Sequence, residues 1–456
     1  EIYTLSLHDA LPILASRYLW HNTKRVIFSL FPSMLQRLAY QFRIEPNGHQ
    51  CSLLKRFCGC VRATYNHFLE QQNTRYEQYR KDLAEAHKSN SEANVDKPFI
   101  SYAEMTRELA GSFKKDKPWL NECHSQALQQ VLKDLYRGYA NFFSGRAEHP
   151  KFKAKGIHDA FRYPQGVKLD EQNSRIWLPK IGWVRYRNSR SVIGKIKNTT
   201  VSLVCGHWYV SIQTEFQEEI SVPEGLDCGI DRGVIHSATT DEGKMYDLPV
   251  TEIDRLHARI AVYQKQLKNK VKGSNNSRKL KQKITRAHHR IACIRRDFLH
   301  KTTTDICKNH AVVHVEALNV AGMTKSASGT VENPGKNVKQ KSGLNRAILE
   351  QGWGEMLRQL EYKMRRKGGL LVKVNPAYTS QTCPLCGHVS QGNRISQASF
   401  VCEACGFSLN ADVVGAMNIK RAGRAQLACE VNGIGRQQQE PAEATKRLLF
   451  ERLATQ

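Results

Sequence analysis

Cys228-Gly-Ile-Asp231-Arg-Gly-Val-Ile235 sets one acid in an apolar run punctuated by glycines. The run reads as a strand running into a tight turn. A lone carboxylate inside such a strand is costly unless a cation or a partner meets it. Gly233 leaves room for backbone or ligand to approach. Strands and long helices alternate around this stretch, so the expected fold class is α/β.

Working outward, a second apolar strand, Val312-Val-His-Val-Glu316-Ala-Leu-Asn319, also carries an acid. A third acid, Asp412, stands where a helix begins. Taken singly, Asp412 reads as a helix N-cap and Glu316 as a strand-end surface acid. Taken together, Asp231, Glu316 and Asp412 come from separated segments and can converge on divalent cations. Two ions about 4 Å apart would activate a water and stabilise the leaving oxygen in phosphodiester cleavage. Oxygen ligands of this kind suit Mg2+ or Mn2+.

Between the second and third acids lie Cys383-Pro-Leu-Cys386 and Cys402-Glu-Ala-Cys405, with fifteen residues between the two knuckles. Each CxxC turn presents two sulfurs to one metal, and Gly387 and Gly406 permit the backbone that follows. Four thiolates close a tetrahedral shell, which points to a structural zinc with no open position. His388 is a substitute ligand that the four thiols make unnecessary.

The 456-residue chain carries 69 Lys and Arg against 42 Asp and Glu, a formal charge of +27. Such an excess repels itself unless a polyanion neutralises it, so nucleic acid is the expected partner. The charge is also clustered: Lys265 to Lys301 holds thirteen basic residues and one acid, Asp297. That imbalance reads as a phosphate-tracking face on two helices, 252–270 and 277–309. In the second helix Leu280, Ile284, Ala287, Ile291, Ile294 and Phe298 form a packing seam. The 13 cysteines fit a reducing cytosol and a metal site better than a disulfide scaffold. There is no apolar run of membrane-spanning length, and the cysteine usage sets the expectation of a cytoplasmic protein.

The remaining organisation follows from local pattern. Residues 1–33 read as an artefactual extension, with Met34 as the natural start. Residues 34–46 and 151–222 are β-rich and form a wedge, a small barrel or open sheet. Residues 47–150 read as a helical insert. Residues 223–377 and 407–422 read as a further unit, interrupted by the cysteine cluster at 378–406. A helix is expected over 345–366, and a mobile loop over 322–343. Residues 423–456 are polar and expected to be disordered. Tyr139, Phe142, Phe143 and Tyr163 are candidates for base stacking, though aromatic residues at helical spacing are more often core.

These stretches, in order, resemble the split RuvC nuclease of the TnpB/OrfB proteins of bacterial insertion sequences, relatives of type V CRISPR effectors. The resemblance is carried by GIDRG (229–233), VVHVEALNV (312–320), the four-cysteine ribbon and ADVVGAMNI (411–419). It extends to FRYPQG (161–166), NPGKNVKQKSGLNR (333–346) and YTSQTCPLCGH (378–388). It implies an RNase H-like core with an inserted zinc ribbon, a wedge and a recognition insert. By matched motif Asp231, Glu316 and Asp412 are its catalytic acids, Cys383, Cys386, Cys402 and Cys405 its zinc ligands, and 322–343 the lid. It implies RNA-guided DNA cleavage, with a guide RNA from the transposon end and double-stranded target DNA next to a short motif. A nuclease-dead guided regulator would have lost an acid, and none is lost. A transposase of the single-strand type would need a His-hydrophobe-His and Tyr pattern, which is not seen. The chain departs from the family's last motif at Val414 and Gly415, where Asn-Ala is usual.

Overall fold

The computed structural model describes residues 33–89, 100–219 and 225–437. Two compact units are present, Leu35–Glu218 and the residues from Glu219 onward. The reading of 1–33 as an extension falls almost wholly outside the described residues.

In the first unit, strand β1 (Ser33–Glu45) leads into α1 (Gly48–Ser89). The short α2 (Tyr102–Glu108) has a capping box, in which the Ser101 hydroxyl accepts from Glu104 N and Glu104 in turn accepts from Ser101 N. Helix α3 (Ser125–Phe143) follows. Strands β2 (Ala160–Tyr163), β3 (Lys168–Asp170), β4 (Arg175–Leu178), β5 (Gly182–Tyr186), β6 (Lys195–Val204) and β7 (His207–Glu219) complete it. The sheet order is β2-β6-β7-β1-β5-β4-β3, so the first strand joins the later ones across the helical insert. The insert and the sheet are not separate bodies. Leu54, Phe57 and Leu128 from helices share one core with Phe161, Val184 and Val210 from strands. Tyr139 and Tyr163 are buried in that core, their hydroxyls donating to Asn73 Oδ1 (2.9 Å) and Pro179 O (2.9 Å). Of the four stacking candidates, only Phe143 is exposed.

The second unit is built on a mixed sheet of order β10-β9-β8-β11-β12. Its strands are β8 (Leu226–Asp231), β9 (Ala238–Thr240), β10 (Met245–Tyr246), β11 (His310–Glu316) and β12 (Leu370–Val374). β8 and β12 flank β11 in parallel, while β9 and β10 fold back antiparallel. Helices α4 (Val250–Lys268) and α5 (Asn275–Asn309) form a hairpin between β10 and β11. The expected seam is its core: Ala287, Ile291 and Ile294 meet Ile253 and Ile260. Arg278, Lys279, Lys281, Lys283 and Arg286 of α5 are exposed to solvent.

Three expectations need correction. The single helix over 345–366 is two, α7 (Val338–Gln351) and α8 (Trp353–Arg366), after the short α6 (Val320–Met323). They break at Gly352, whose φ of 68° lies in the left-handed region open to glycine. Because α7 starts at Val338, the end of the expected 322–343 loop is helical, and Gly329 bridges Pro334. Finally, α9 (Ala411–Gln437) runs well beyond 422, so 423–437 is helix rather than disordered. The remainder of that tail, 438–456, lies outside the described residues.

Candidate active site

β8 and β11 are adjacent and parallel, with Val315 opposite Ile230. Asp231 and Glu316, the last residues of the two strands, therefore emerge at the same carboxyl edge of the sheet. This is the edge where open α/β sheets commonly bind ligands. Buried neighbours on both strands fix the register, since a one-residue slip would turn each acid to the opposite face.

Asp412 is the second residue of α9. It is not the cap: Asn410 Oδ1 accepts from Asp412 N (2.9 Å) and Val413 N (3.3 Å). The carboxylate of Asp412, a buried residue, is thereby left for other partners. α9 lies across β8, β9, β11 and β12. Two glycines let it come close. A Cβ on Gly229 would fall 2.0 Å from Ala416 O, and one on Gly415 would fall 3.1 Å from Asp231 Oδ2.

The Asp231 carboxyl feels the other two acids. Burial first, then the charges of Glu316 and Asp412, push the Asp231 carboxyl up to about 7. Thr379 donates its hydroxyl proton to Glu316 Oε1 (2.6 Å), and the Arg232 guanidinium donates to Glu316 O. Asn418 Nδ2 donates to Thr379 O (2.8 Å) and Thr382 O (2.7 Å), tying α9 to the segment that holds Glu316.

Arg394, from the ribbon, is a site residue that the sequence reading does not single out. Its Nη2 lies 3.7 Å from Asp412 Oδ1, and its charge acts against the upward push on Asp231. A lone arginine in the polar loop Gln391-Gly-Asn-Arg394 carries no periodic signal by which sequence could mark it.

The ribbon brings its four cysteines together. All four sulfurs lie within 4.8 Å of one another, with Cys383–Cys405 at 3.7 Å and Cys386–Cys402 at 3.6 Å. Each knuckle closes by the same bond: Gly387 N to Cys383 O (3.0 Å) and Gly406 N to Cys402 O (2.9 Å). Four soft donors at this spacing fit one tetrahedral metal. Among the described residues, Asp231, Glu316 and Asp412 do not close to that spacing. His388 takes no part in the cluster, its carbonyl accepting from Cys383 N. β13 (Ser399–Val401) and β14 (Ser408–Asn410) complete the ribbon. Phe400, Cys383 and Cys402 share a small core with Ala411 and Val414 of α9. The unusual Val414 is thus fully buried against the ribbon.

A second set of charges clamps α9 to the sheet. Arg424 makes two bonds to Asp227 (2.6 and 2.7 Å), and Lys420 reaches Asp241 (2.7 Å). Although burial opposes ionisation of Asp227, His314, Arg424 and Lys420 together hold its carboxyl well below the usual range.

Family profiles match three parts of the chain: "Cas12f1-like, TNB domain" over 353–419, "Probable transposase" over 211–327 and "Helix-turn-helix domain" over 34–81. The last span is folded here as one strand and one unbroken helix. The chain is 31% identical over 429 residues to a protein of Streptomyces pristinaespiralis named "Putative RNA-guided DNA endonuclease", covering 90% of this chain and 98% of that one. A solved structure, the cryo-EM complex of Cas12f1 with sgRNA and target DNA, aligns with a TM-score of 0.45 at 13% identity, over 86% of this chain and 99% of that one. "Putative RNA-guided DNA endonuclease InsQ" of Escherichia coli (strain K12) is 49% identical over 410 residues, which span 89% of this chain and 97% of InsQ. On that similarity, the chain belongs to the TnpB/OrfB family of insertion-sequence-encoded RNA-guided endonucleases.

Proposed function

We propose that this protein is an RNA-guided DNA endonuclease that hydrolyses phosphodiester bonds at an RNase H-like, RuvC-type site formed by Asp231, Glu316 and Asp412. The observation that carries the reading is the convergence of Asp231 and Glu316 at one sheet edge, with α9, which carries Asp412, resting on Asp231. The strand order of the second unit, an antiparallel meander followed by two parallel strands, supports an RNase H-like core. The acid oxygens would hold Mg2+ or Mn2+. Such cations, when bound, activate water and stabilise the leaving oxygen.

The chain's own groups prepare the place. The Thr379 hydroxyl fixes one Glu316 oxygen and so orients the carboxylate. Asn410 caps α9, so Asp412 is spared that duty. The Arg394 guanidinium stands beside Asp412, positioned to balance charge gathering on a scissile phosphate. Zinc on Cys383, Cys386, Cys402 and Cys405 would be structural, holding the ribbon from which Arg394 projects. Target choice would rest with base pairing to a guide RNA from the transposon end, and the exposed lysines and arginines of α4 and α5 would follow the backbone.

The test is plasmid cleavage by purified protein with its guide RNA and Mg2+. Cutting of a matched plasmid, absent with Asp231→Ala, is the expected result. Equal cutting by that variant would overturn the assignment.

A further inference from the structure

The ladder between β8 and β11 ends with Val315 opposite Ile230, one residue before each acid. On its other side Glu316 is still paired with β12, opposite Val374, and Ala317 N donates to Val374 O (2.8 Å). Toward β8 the link passes to a side chain.

That side chain is Arg232. It follows Asp231 directly, is 5% exposed, and its guanidinium donates to Glu316 O. Its backbone N–H favours the ionised form of Asp231 through a hydrogen bond. The turn that carries it is itself fixed. Gly233 N donates to His236 O (3.1 Å), and Gln351 Nε2 donates to Val234 O (2.7 Å). Arg232 thus reaches both strand ends, the carboxylate of one acid and the carbonyl of the other.

A buried guanidinium is expensive, because its charge leaves water for a less polarisable medium. Arg232 Nε is buried and has no hydrogen-bond partner, so hydrogen bonds do not offset the whole cost. Charge makes up the difference. Burial works against the ionised form of Arg232, and the carboxylates of Glu316 and Asp231 work for it. The relation is mutual, since a cation stabilised by acids stabilises those acids in turn. Packing does not account for the residue: an apolar chain of similar length would fill the space without burying charge. Divalent cations would also neutralise the acids, but they need a formed site to bind. Arg394, the other cation at this edge, comes from the ribbon and has a partly exposed side chain. Arg232 is enclosed and stays in place.

We propose that Arg232 is a resident counter-ion and a positioning residue: it ties the end of β8 to that of β11 and offsets the charge of Asp231 and Glu316 until divalent cations share that task. The proposal rests on the reading of the acids given above, and adds that the chain supplies part of its own neutralisation.

The experiment compares thermal unfolding midpoints of the full-length, zinc-loaded protein at mildly alkaline pH, with no added Mg2+ or Mn2+. Arg232→Met keeps much of the length and removes the charge. It should lower the midpoint by about 5 °C or more. Two backgrounds decide the cause. In Asp231→Asn, and separately in millimolar Mn2+, the same substitution should cost less than about half as much, as expected for coupled charges. An equal loss in all three conditions would make Arg232 a packing residue and overturn the proposal. If Arg232→Met does not fold on its own, its recovery in the Asp231→Asn background supports the proposal, and failure to fold there as well overturns it. None of these melts measures cutting. The plasmid test with Asp231→Ala therefore separates failure of this proposal from failure of the nuclease reading.

Discussion

Gly415 stands so close to Asp231 that an added Cβ would lie 3.1 Å from the Oδ2 atom. α9 and the end of β8 therefore meet with almost no slack, and the acid takes up the space a side chain would fill. Gly415→Ala puts back the alanine usual in the family, and should leave cleavage near the wild-type rate as the Asp231 side chain gives by a few tenths of an ångström. Gly415→Leu should displace it outright and lower the rate by about 100-fold, as misplacements near 1 Å do. Single-turnover cleavage beside guide-RNA affinity checks this: the rate should fall while affinity holds. Full activity in the leucine variant would show that Asp231 has room to spare.

Arg394 offers a separate handle on the same edge. Arg394→Ala should lower the cleavage rate by about 100-fold, the scale of one lost charge-stabilising donor. Zinc content and target binding should be retained. Arg394→Lys should recover part of the loss, since charge remains but the planar fork does not. A pure change in target affinity would assign the residue to binding.

If the four thiols hold zinc as proposed, its removal should be felt by the acids. The Cys383, Phe400 and Cys402 core continues directly into Ala411 and Val414 at the start of α9. Cys402→Ser should release one zinc equivalent, detected by a colorimetric chelator, and abolish cleavage even in excess Mg2+. Structural zinc of this type supplies folding energy as well as shape. Retained cutting in a zinc-free protein would detach the ribbon from the nuclease.

Asp227 provides a stability prediction with a defined pH direction. Burial works against its ionisation, yet His314, Arg424 and Lys420 hold its folded carboxyl below the ordinary aspartate value. The stabilisation is therefore complete above the unfolded value, about 3.9, and is lost as pH falls through the folded one. Asp227→Asn should cost about 3 kcal/mol near neutrality, because Arg424 and Lys420 lose a partly buried partner. Denaturant melts at pH 7 and pH 3 are the measurement, and the gap between wild type and variant should narrow at the lower pH. A constant gap would mean the clamp works through packing.

On the outer face of α5, replacing Lys279, Lys281, Lys283 and Arg286 with Gln should weaken binding to every nucleic-acid sequence alike. The slope of log affinity against log salt should fall by up to about 0.9 per lost phosphate contact. An unchanged slope would leave that face merely solvated.

Much of this geometry is legible in the residues, and the exceptions have physical causes. Asp231 stands out because its apolar neighbours demand burial, and the cysteines because their spacing admits one metal. Asp412 is harder to place. Asp and Asn are both good caps, and only the bonds to Asn410 Oδ1 show which one serves. The break at Gly352 is hidden because the apolar pattern continues on both sides of it. α9 runs past 422 since Leu427 finds Ile419 and the β12 valines to pack against, a tertiary contact that polar local composition conceals. Arg394 meets Asp412 across segments that local pattern does not join, so no periodic signal records it.

The three acids are spread from 231 to 412, and the last of them rides on the helix that caps the sheet. During synthesis, a ribosome that has released the first two has not yet delivered the third, nor the clamp at Lys420 and Arg424. On the proposed assignment of these acids, a nascent chain cannot hold the complete set, which comes together only when the final helix docks.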